Sequence, residues 1–472
     1  QNSKKQGYSQ ETPEKLRERN TDLRKLEEPS SSLKDNLSLK KHFGTDGIRG
    51  IPEESLTEEI VSKVSASVEK ILKPKSIALI TDTRSSCEVI AKWISNGFSS
   101  EVHILNYGIL PSGSMPILLN ELNHDMGIII SASHNPSEYN GIKLIDKNGS
   151  KLADEVEISI EETMDTIGLP SKSSQIEDSH LGYEQYKNFL DSINDVDFLQ
   201  FNLVIDSANG SAYKVIKDLV LDQNATATFI ANEPNGENIN EYSGATNTKN
   251  LINTMKNGQL GISFDGDADR LIMIDENKEV ANGDVIIALL ANYLSETKQL
   301  ENQSVVSTVM SNYGFKVAMK NKNFNLIETP VGDKYVAESM KKHDAVLGGE
   351  QSGHIIFSKY LPVGDGLVTF LLTLKALNYF KTTLAEFRKQ NIQEYPQKLV
   401  NIKLQNQLNK EELEFINQIA FALSNKRDLD GRYLIRNSGT EPLLRVLVEA
   451  KNSDEMDAFL DELLIKINGY LN

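Results

Sequence analysis

Beyond about residue 55, short continuous apolar runs alternate with longer stretches whose apolar positions recur every three or four residues. The runs at 76–81, 102–106, 126–130 and 142–145 are rich in β-branched residues and bounded by turn residues, which predicts strands; 58–72 and 88–98 carry helical spacing. Trp93, the lone tryptophan, sits at helical spacing within 88–98 and is expected in the core. An acidic helix and linker at 154–180 follows, and then the pattern restarts. A strand at 201–205 runs into the turn Asp206-Ser207-Ala208-Asn209-Gly210, and one at 260–264 runs into Asp265-Gly266-Asp267-Ala268-Asp269-Arg270. A third unit, at about 283–387, holds a strand at 304–309, the loop Val331-Gly332-Asp333-Lys334-Tyr335 and the glycine-rich stretch from Gly348 to His354. The last unit starts near 395 and has a strand at 443–448 between helical patterns at 410–423 and 453–468. Alternation of this kind is the signature of mostly parallel sheets covered by helices.

Composition narrows the picture. A length of 472 residues suggests three or four domains, at about 100–200 residues each. A formal charge of −17 argues against a general nucleic-acid binder and against an anionic membrane surface, so any anionic ligand must find its positive charge locally. The single cysteine, Cys87, excludes an intramolecular disulfide and points to a cytosolic setting; it falls at a helix start and is expected to be an inert packed residue. No apolar run reaches the ~18 residues of a membrane span, and the first residues lack a signal-peptide core. Residues 1 to about 40 are polar, with too small an apolar face to pack, and read as a mobile extension or a surface helix.

The candidate chemistry lies in the loops between these elements. Ser131-Ala132-Ser133-His134-Asn135-Pro136 and its continuation to Leu144 link the strands at 126–130 and 142–145, so their polar side chains are presented at strand ends. The glycines among His42–Gly50 allow the backbone to approach a ligand closely. Asp265, Asp267 and Asp269 alternate, and an extended segment would project all three carboxylates the same way. Such crowding calls for a cation, and an all-oxygen set favours Mg²⁺ or Ca²⁺ over zinc. A helical calcium loop is disfavoured: Glu276 does fall at the twelfth position, but the sixth is Arg270 and the flanks read as strands. Arg436, Ser438 and Thr440 alternate around Gly439 and combine a guanidinium with two hydroxyls, a set suited to phosphate, with Arg445 able to add charge. Glu350 and Ser352 offer an acceptor and a donor to sugar hydroxyls, and His354 is either a satisfied hydrogen bonder or a proton shuttle. Taken singly, each stretch also fits an ordinary polar turn.

The order of the motifs is more specific than any one of them. Gly44-Thr45-Asp46-Gly47-Ile48-Arg49-Gly50, then Ser131 to Pro136, Asp265 to Arg270, Gly349-Glu350-Gln351-Ser352-Gly353-His354 and Arg436-Asn437-Ser438-Gly439-Thr440-Glu441-Pro442 resemble the α-D-phosphohexomutase superfamily from about residue 42 to the C-terminus. Asn437 stands where many members have proline, which leaves the phosphate donors in place. In wording, the first, second and fourth motifs are most similar to the bacterial branch that acts on glucosamine phosphates.

The resemblance implies an α/β protein of four domains around a central cleft, three of them mixed-sheet α/β and a smaller α+β domain at the C-terminus. Their expected limits are 41–178, 179–282, 283–392 and 393–472, after the extension at 1–40. It implies that Ser133 is the phosphoserine nucleophile, that Asp265, Asp267 and Asp269 hold Mg²⁺ together with a Ser133 phosphate oxygen, and that Glu350 and Ser352 grip the sugar. Arg436, Ser438, Gly439 and Thr440, with Arg445, would hold the distal phosphate; Arg49, Lys143, Arg270 and His354 would supply charge and proton transfer at the reacting oxygen, with the acid and base roles open. The implied reaction turns glucosamine 6-phosphate into the 1-phosphate, with a hexosamine 1,6-bisphosphate as intermediate and activator. Sugar phosphates would then be the partners, with no nucleic acid or membrane and with room for a homodimer. Three alternatives stay open: a mannose or glucose phosphate mutase of the same fold, a non-catalytic sugar-phosphate-binding protein, and a serine-based phosphatase, although no second metal cluster with histidine ligands stands in the sequence.

Overall fold

The structure is a computed structural model that describes residues 40–223, 225, 227–438 and 442–471. Of the extension expected at 1–40, residues 1–39 lie outside the described residues, as do Gly439 and Thr440 of the phosphate motif; Lys40 is described and is held by Asp154 and Glu157 rather than free.

The first sheet has six strands in the order Ile48–Gly50, Asn140–Ile145, Met126–Ile130, Ser76–Thr81, His103–Ile109 and Ile176–Asp178. Its central pairings are parallel, whereas Asn140–Ile145 runs antiparallel to both its neighbours. Side-chain alternation buries both faces. Ile77 and Leu79 enter the core beneath the helices Glu58–Leu72, Cys87–Gly97 and Asp154–Met164, while Ala78 and Ile80 enter the opposite core with Met115 and Leu118. Trp93 is buried in the first of these cores, and Cys87 lies at the helix start, its thiol pushed well above its usual pKa by burial and by Asp82. Part of the glycine-rich stretch expected as loop is a strand: Ile48–Gly50 closes the sheet edge, with Arg49 opposite Gly141. Gly141 makes that approach possible, because a Cβ there would sit 2.7 Å from the Ile48 carbonyl oxygen and 2.9 Å from that of Ser131.

The second sheet, Val280–Ala281, Leu271–Ile274, Leu260–Phe264, Leu203–Asp206 and Ala227–Ile230, and the third, Asn325–Thr329, Ser304–Thr308, Leu347–Gly349 and Ile355–Phe357, are mixed as well: parallel toward Ala227–Ile230 and Asn325–Thr329, antiparallel toward the opposite edge. One continuous core joins them, centred on the helices Gly283–Glu296 and Gly366–Phe380. The fourth sheet is antiparallel, in the order Gln397–Lys403, Leu443–Ala450, Gly431–Asn437, and packs on Lys410–Arg427 and Ser453–Leu471 around a core of its own. Arg432 ties it to the third sheet. Paired with Glu449, it donates to the carbonyls of Val309 at 2.8 Å and Ser311 at 2.6 Å. Among the described residues no helix is long and apolar enough to cross a membrane.

Candidate active site

Ser133 follows the strand Met126–Ile130 and adopts a left-handed backbone conformation, φ +50°. For a residue other than glycine this costs on the order of 1–3 kcal/mol, so its surroundings must hold it there. Its N–H donates to Ser131 Oγ at 2.9 Å, and its own Oγ donates to Asp265 Oδ2 at 2.7 Å.

The aspartate segment reaches its geometry in a different way from the one its sequence predicts. It is a turn rather than an extended strand: Ala268 N–H closes on the Asp265 carbonyl at 3.1 Å, and Ala268 has φ +58°. The turn still brings one oxygen from each of Asp265, Asp267 and Asp269 within 4.8 Å of the others, all three side chains being buried. Asp267 Oδ2 accepts from Lys143 Nζ at 2.7 Å and from Ser112 Oγ at 2.6 Å. Asp267 Oδ1 and Asp269 Oδ1 take no hydrogen bond among the described residues. Unsatisfied carboxylate oxygens gathered in a buried site fit a hard cation.

Electrostatics separates the members of this cluster. Burial, with the charges of Asp269 and Asp267, pushes the Asp265 carboxyl well above the usual range. Burial acts the same way on Asp269, but Lys143, His354 and Arg270 hold it well below. Burial disfavours the Lys143 ammonium, yet Asp267, Asp46 (2.9 Å) and Asp269 (3.6 Å) raise its pKa well above the ordinary value. His354 follows the same logic: burial opposes the charged ring, while Asp269 at 3.5 Å, Asp333 at 3.7 Å and Glu350 raise it to about 9. His134, 3.3 Å from Ser133 Oγ, is driven down to about 4 by burial and by Arg270 and Arg49. At neutral pH a protonated lysine and a protonated histidine thus face the carboxylates, and a neutral histidine stands beside the Ser133 hydroxyl.

A cavity of about 400 Å³ opens over these groups, lined among others by Arg49, His134, Arg270, Asp333, Glu350 and His354. Arg49 Nη1 donates to Asn135 Oδ1 at 2.7 Å, and its other Nη pairs with Asp46. Glu350 accepts from the Gly332 N–H at 3.1 Å. Ser352 is exposed and is not part of the cavity lining. The fourth-sheet residues are likewise outside the lining: Arg436 and Arg445 are partners across the ladder, and Ser438 is buried beside them. Ser438 Oγ and Arg445 Nε have no hydrogen-bond partner among the described residues.

Sequence reasoning passed over Asp46, Ser112, Lys151 and Asp333. Asp46 and Asp333 stand inside stretches that it singled out, and both bind Lys151, at 2.6 Å for Asp333. Lys151 and Ser112 carry no local signal; only the fold brings them to the carboxylates.

Family models describe the same chain in three pieces: "Phosphoglucomutase/phosphomannomutase, alpha/beta/alpha domain I" over residues 40–170, "alpha/beta/alpha domain III" over 282–395, and "C-terminal domain" over 399–466. A phosphoglucosamine mutase of Alkaliphilus oremlandii is 39% identical over 453 residues, covering 92% of this chain and 100% of that protein. Among solved structures, a phosphoglucomutase/phosphomannomutase family protein of Burkholderia thailandensis superposes with a TM-score of 0.76 at 19% identity, covering 91% of this chain and 98% of the other. An Aspergillus fumigatus N-acetylphosphoglucosamine mutase, solved in complex with GlcNAc-6P and magnesium, gives 0.60 at 16% identity, covering 94% of this chain and 99% of that one.

Proposed function

This chain belongs to the phosphoglucomutase/phosphomannomutase family, whose members are α-D-phosphohexomutases, and we propose that it interconverts glucosamine 6-phosphate and glucosamine 1-phosphate. It is a mutase, an intramolecular phosphotransferase. We take the chain as four domains, at 41–178, 179–282, 283–392 and 393–472, with one sheet in each. A cytoplasmic setting suits a chain with a single cysteine.

In this reading Ser133 carries the phosphoryl group. The C1 hydroxyl of glucosamine 6-phosphate attacks it: the new P–O1 bond forms as the P–Oγ bond breaks, and the C1 hydroxyl proton is lost while Ser133 Oγ regains one. The hexosamine 1,6-bisphosphate then turns over in the cleft and returns its 6-phosphate to Ser133, leaving glucosamine 1-phosphate. Phosphoryl transfer of this kind depends on in-line positioning and charge neutralisation more than on covalent chemistry by the protein. Arg49, Lys143 and Arg270 supply fixed positive charge around the transferring group. His354, 3.5 Å from Asp269, and Lys143, 2.7 Å from Asp267, are the groups we assign to proton transfer at the departing oxygen. Glu350 and Ser352 orient the sugar, and Arg436, Ser438, Gly439, Thr440 and Arg445 take the phosphate that is not reacting.

Asp265, Asp267 and Asp269 are the ligands we assign to Mg²⁺, which when bound would neutralise charge on the phosphoryl oxygens. The unpartnered oxygens of Asp267 and Asp269 support this, as does the magnesium in the Aspergillus relative.

The observation that carries the reading is the 2.7 Å hydrogen bond from Ser133 Oγ to Asp265, which joins a nucleophile to a cation-binding cluster in one buried site. A coupled assay with the 6-phosphates of glucosamine, glucose and mannose tests it. The expected result is the highest kcat/KM for glucosamine 6-phosphate. Preference for mannose or glucose phosphate would reassign the substrate, and absence of turnover with all three would leave a sugar-phosphate-binding protein.

A further inference from the structure

The backbone of Ser133 is gripped from two directions by residues that neither hold the cation nor line the cleft. Arg84 belongs to the first sheet's unit and is buried; its Nε pairs with Asp82 Oδ2 at 3.0 Å. Its Nη2 donates to the carbonyls of Ser133 at 3.1 Å and Asn135 at 2.8 Å, and its Nη1 donates to that of Pro136. Asn240 comes from the second sheet's unit. Its Nδ2 donates to the same two carbonyls, Ser133 at 2.8 Å and Asn135 at 2.9 Å. Gly266, in the aspartate turn, closes the third side: a Cβ there would sit 2.4 Å from the Ser133 carbonyl oxygen.

The other side of Ser133 is fixed as well. Asp82 Oδ2 accepts from Ser131 Oγ at 2.6 Å, and that hydroxyl accepts the Ser133 N–H. Both peptide groups of the residue are thus held, and with them the left-handed backbone that aims Oγ at Asp265. Asn240 is itself anchored. Its N–H donates to the Ala208 carbonyl at 2.8 Å, and Asp206 holds that turn by accepting from the N–H groups of Ala208 at 2.8 Å and Gly244 at 2.9 Å. The turn from Asp206 to Gly210, which the sequence offers without a task, thereby acquires one.

We propose that Arg84 and Asn240 are positioning residues that clamp the Ser133 carbonyl and so set the direction of the nucleophile for phosphoryl transfer. The inference rests on the reading of Ser133 as the phosphoryl carrier. Neither side chain needs to touch the sugar phosphate, so their loss acts on the chemical step rather than on substrate binding. Misplacement of a reacting oxygen by about 1 Å can reduce the rate on the order of 100-fold.

The test measures kcat and KM with glucosamine 6-phosphate, the rate at which glucose 1,6-bisphosphate phosphorylates dephosphorylated enzyme, and the melting temperature. Asn240→Asp keeps the side chain's size but sets an acceptor against two carbonyls; Asn240→Ala removes the donor. Both are expected to reduce kcat and the phosphorylation rate in parallel, by about tenfold or more, with KM changed less than about threefold and with Asn240→Asp the more severe. Arg84→Lys keeps the charge but not the fork that spans three carbonyls, and is expected to give the same split; it decides the matter should an Asn240 variant unfold. Folded variants with wild-type kcat and phosphorylation rate overturn the clamp alone, as does a loss of activity that follows the unfolded fraction. Phosphate mapped by mass spectrometry to a residue other than Ser133 overturns the functional reading along with it.

Discussion

Arg436 and Arg445 stand directly opposite one another on neighbouring antiparallel strands, two like charges in register. Such a pair is destabilising unless something between the two neutralises it. Burial, together with Arg445, lowers the Arg436 pKa, and both Arg445 Nε and the adjacent Ser438 Oγ have no hydrogen-bond partner among the described residues. A phosphate dianion held there, as proposed above, would satisfy all of these at once.

Arg436→Ala should therefore weaken turnover without weakening the fold. Each charge-assisted hydrogen bond lost is worth about 1.5–3 kcal/mol, so kcat/KM should fall by roughly 10- to 100-fold or more. In the proposed reaction this phosphate site would serve both orientations of the bisphosphate, so kcat should drop as KM rises. The melting temperature should hold or rise, since a repulsion has been removed. Normal turnover, or a melting temperature that falls together with the activity, would remove Arg436 from the site.

Ser133→Ala should fold and bind sugar phosphate while losing mutase activity, because Asp265 loses only one hydroxyl donor. Mass spectrometry of the wild-type protein should find phosphate on the peptide containing Ser133. Stable phosphate solely on another serine would refute the assignment.

Asp267→Asn takes one carboxylate from the cluster and leaves Lys143 with Asp46 and Asp269. Activity should be lost, and calorimetric titration with Mg²⁺ should show affinity reduced by at least about tenfold. Full wild-type activity in excess chelator would rule out a metal requirement.

Asp206 offers a pH test away from the cleft. Burial raises its pKa from 3.8 to about 6, so between those values the folded state holds a proton that the unfolded state has released. Protonation then favours the fold, and that contribution is lost as pH rises through about 6. An amide cannot titrate, so Asp206→Asn carries a constant cost from its altered hydrogen bonds and escapes the pH-dependent one. Relative to wild type, the variant should gain stability between about pH 4 and 7, by up to roughly 2–3 kcal/mol. A stability difference that stays flat with pH would show that Asp206 is not protonated in that range.

Much of the fold is legible in the sequence because its signals are local. The helix at 58–72 and the strands at 76–81, 126–130 and 260–264 lie where periodicity puts them, since each is bounded by turn residues and buried in a regular pattern. The convergence of Asp265, Asp267 and Asp269 is predicted for the wrong reason: a left-handed Ala268 turns the chain, and alanine gives no warning of positive φ. Arg49 reads as loop because glycines on both sides hide an edge strand only three residues long. Lys151 and Arg84 are invisible as site residues. Their partners lie 182 and 49 residues away, at Asp333 and Ser133, and a single basic residue says nothing about where its charge will be received.

The contact between Ser133 and Asp265 spans 132 residues, and the clamp from Asn240 spans 107. A ribosome adding 5–20 residues per second takes roughly 7–26 seconds to cover the longer stretch. During that interval the first sheet can fold, but its serine has no carboxylate before it and only one side of its clamp behind it. On the proposed reading, the growing chain would lack a complete phosphoryl site until the second sheet has emerged and docked, so competence would arrive as an event in synthesis.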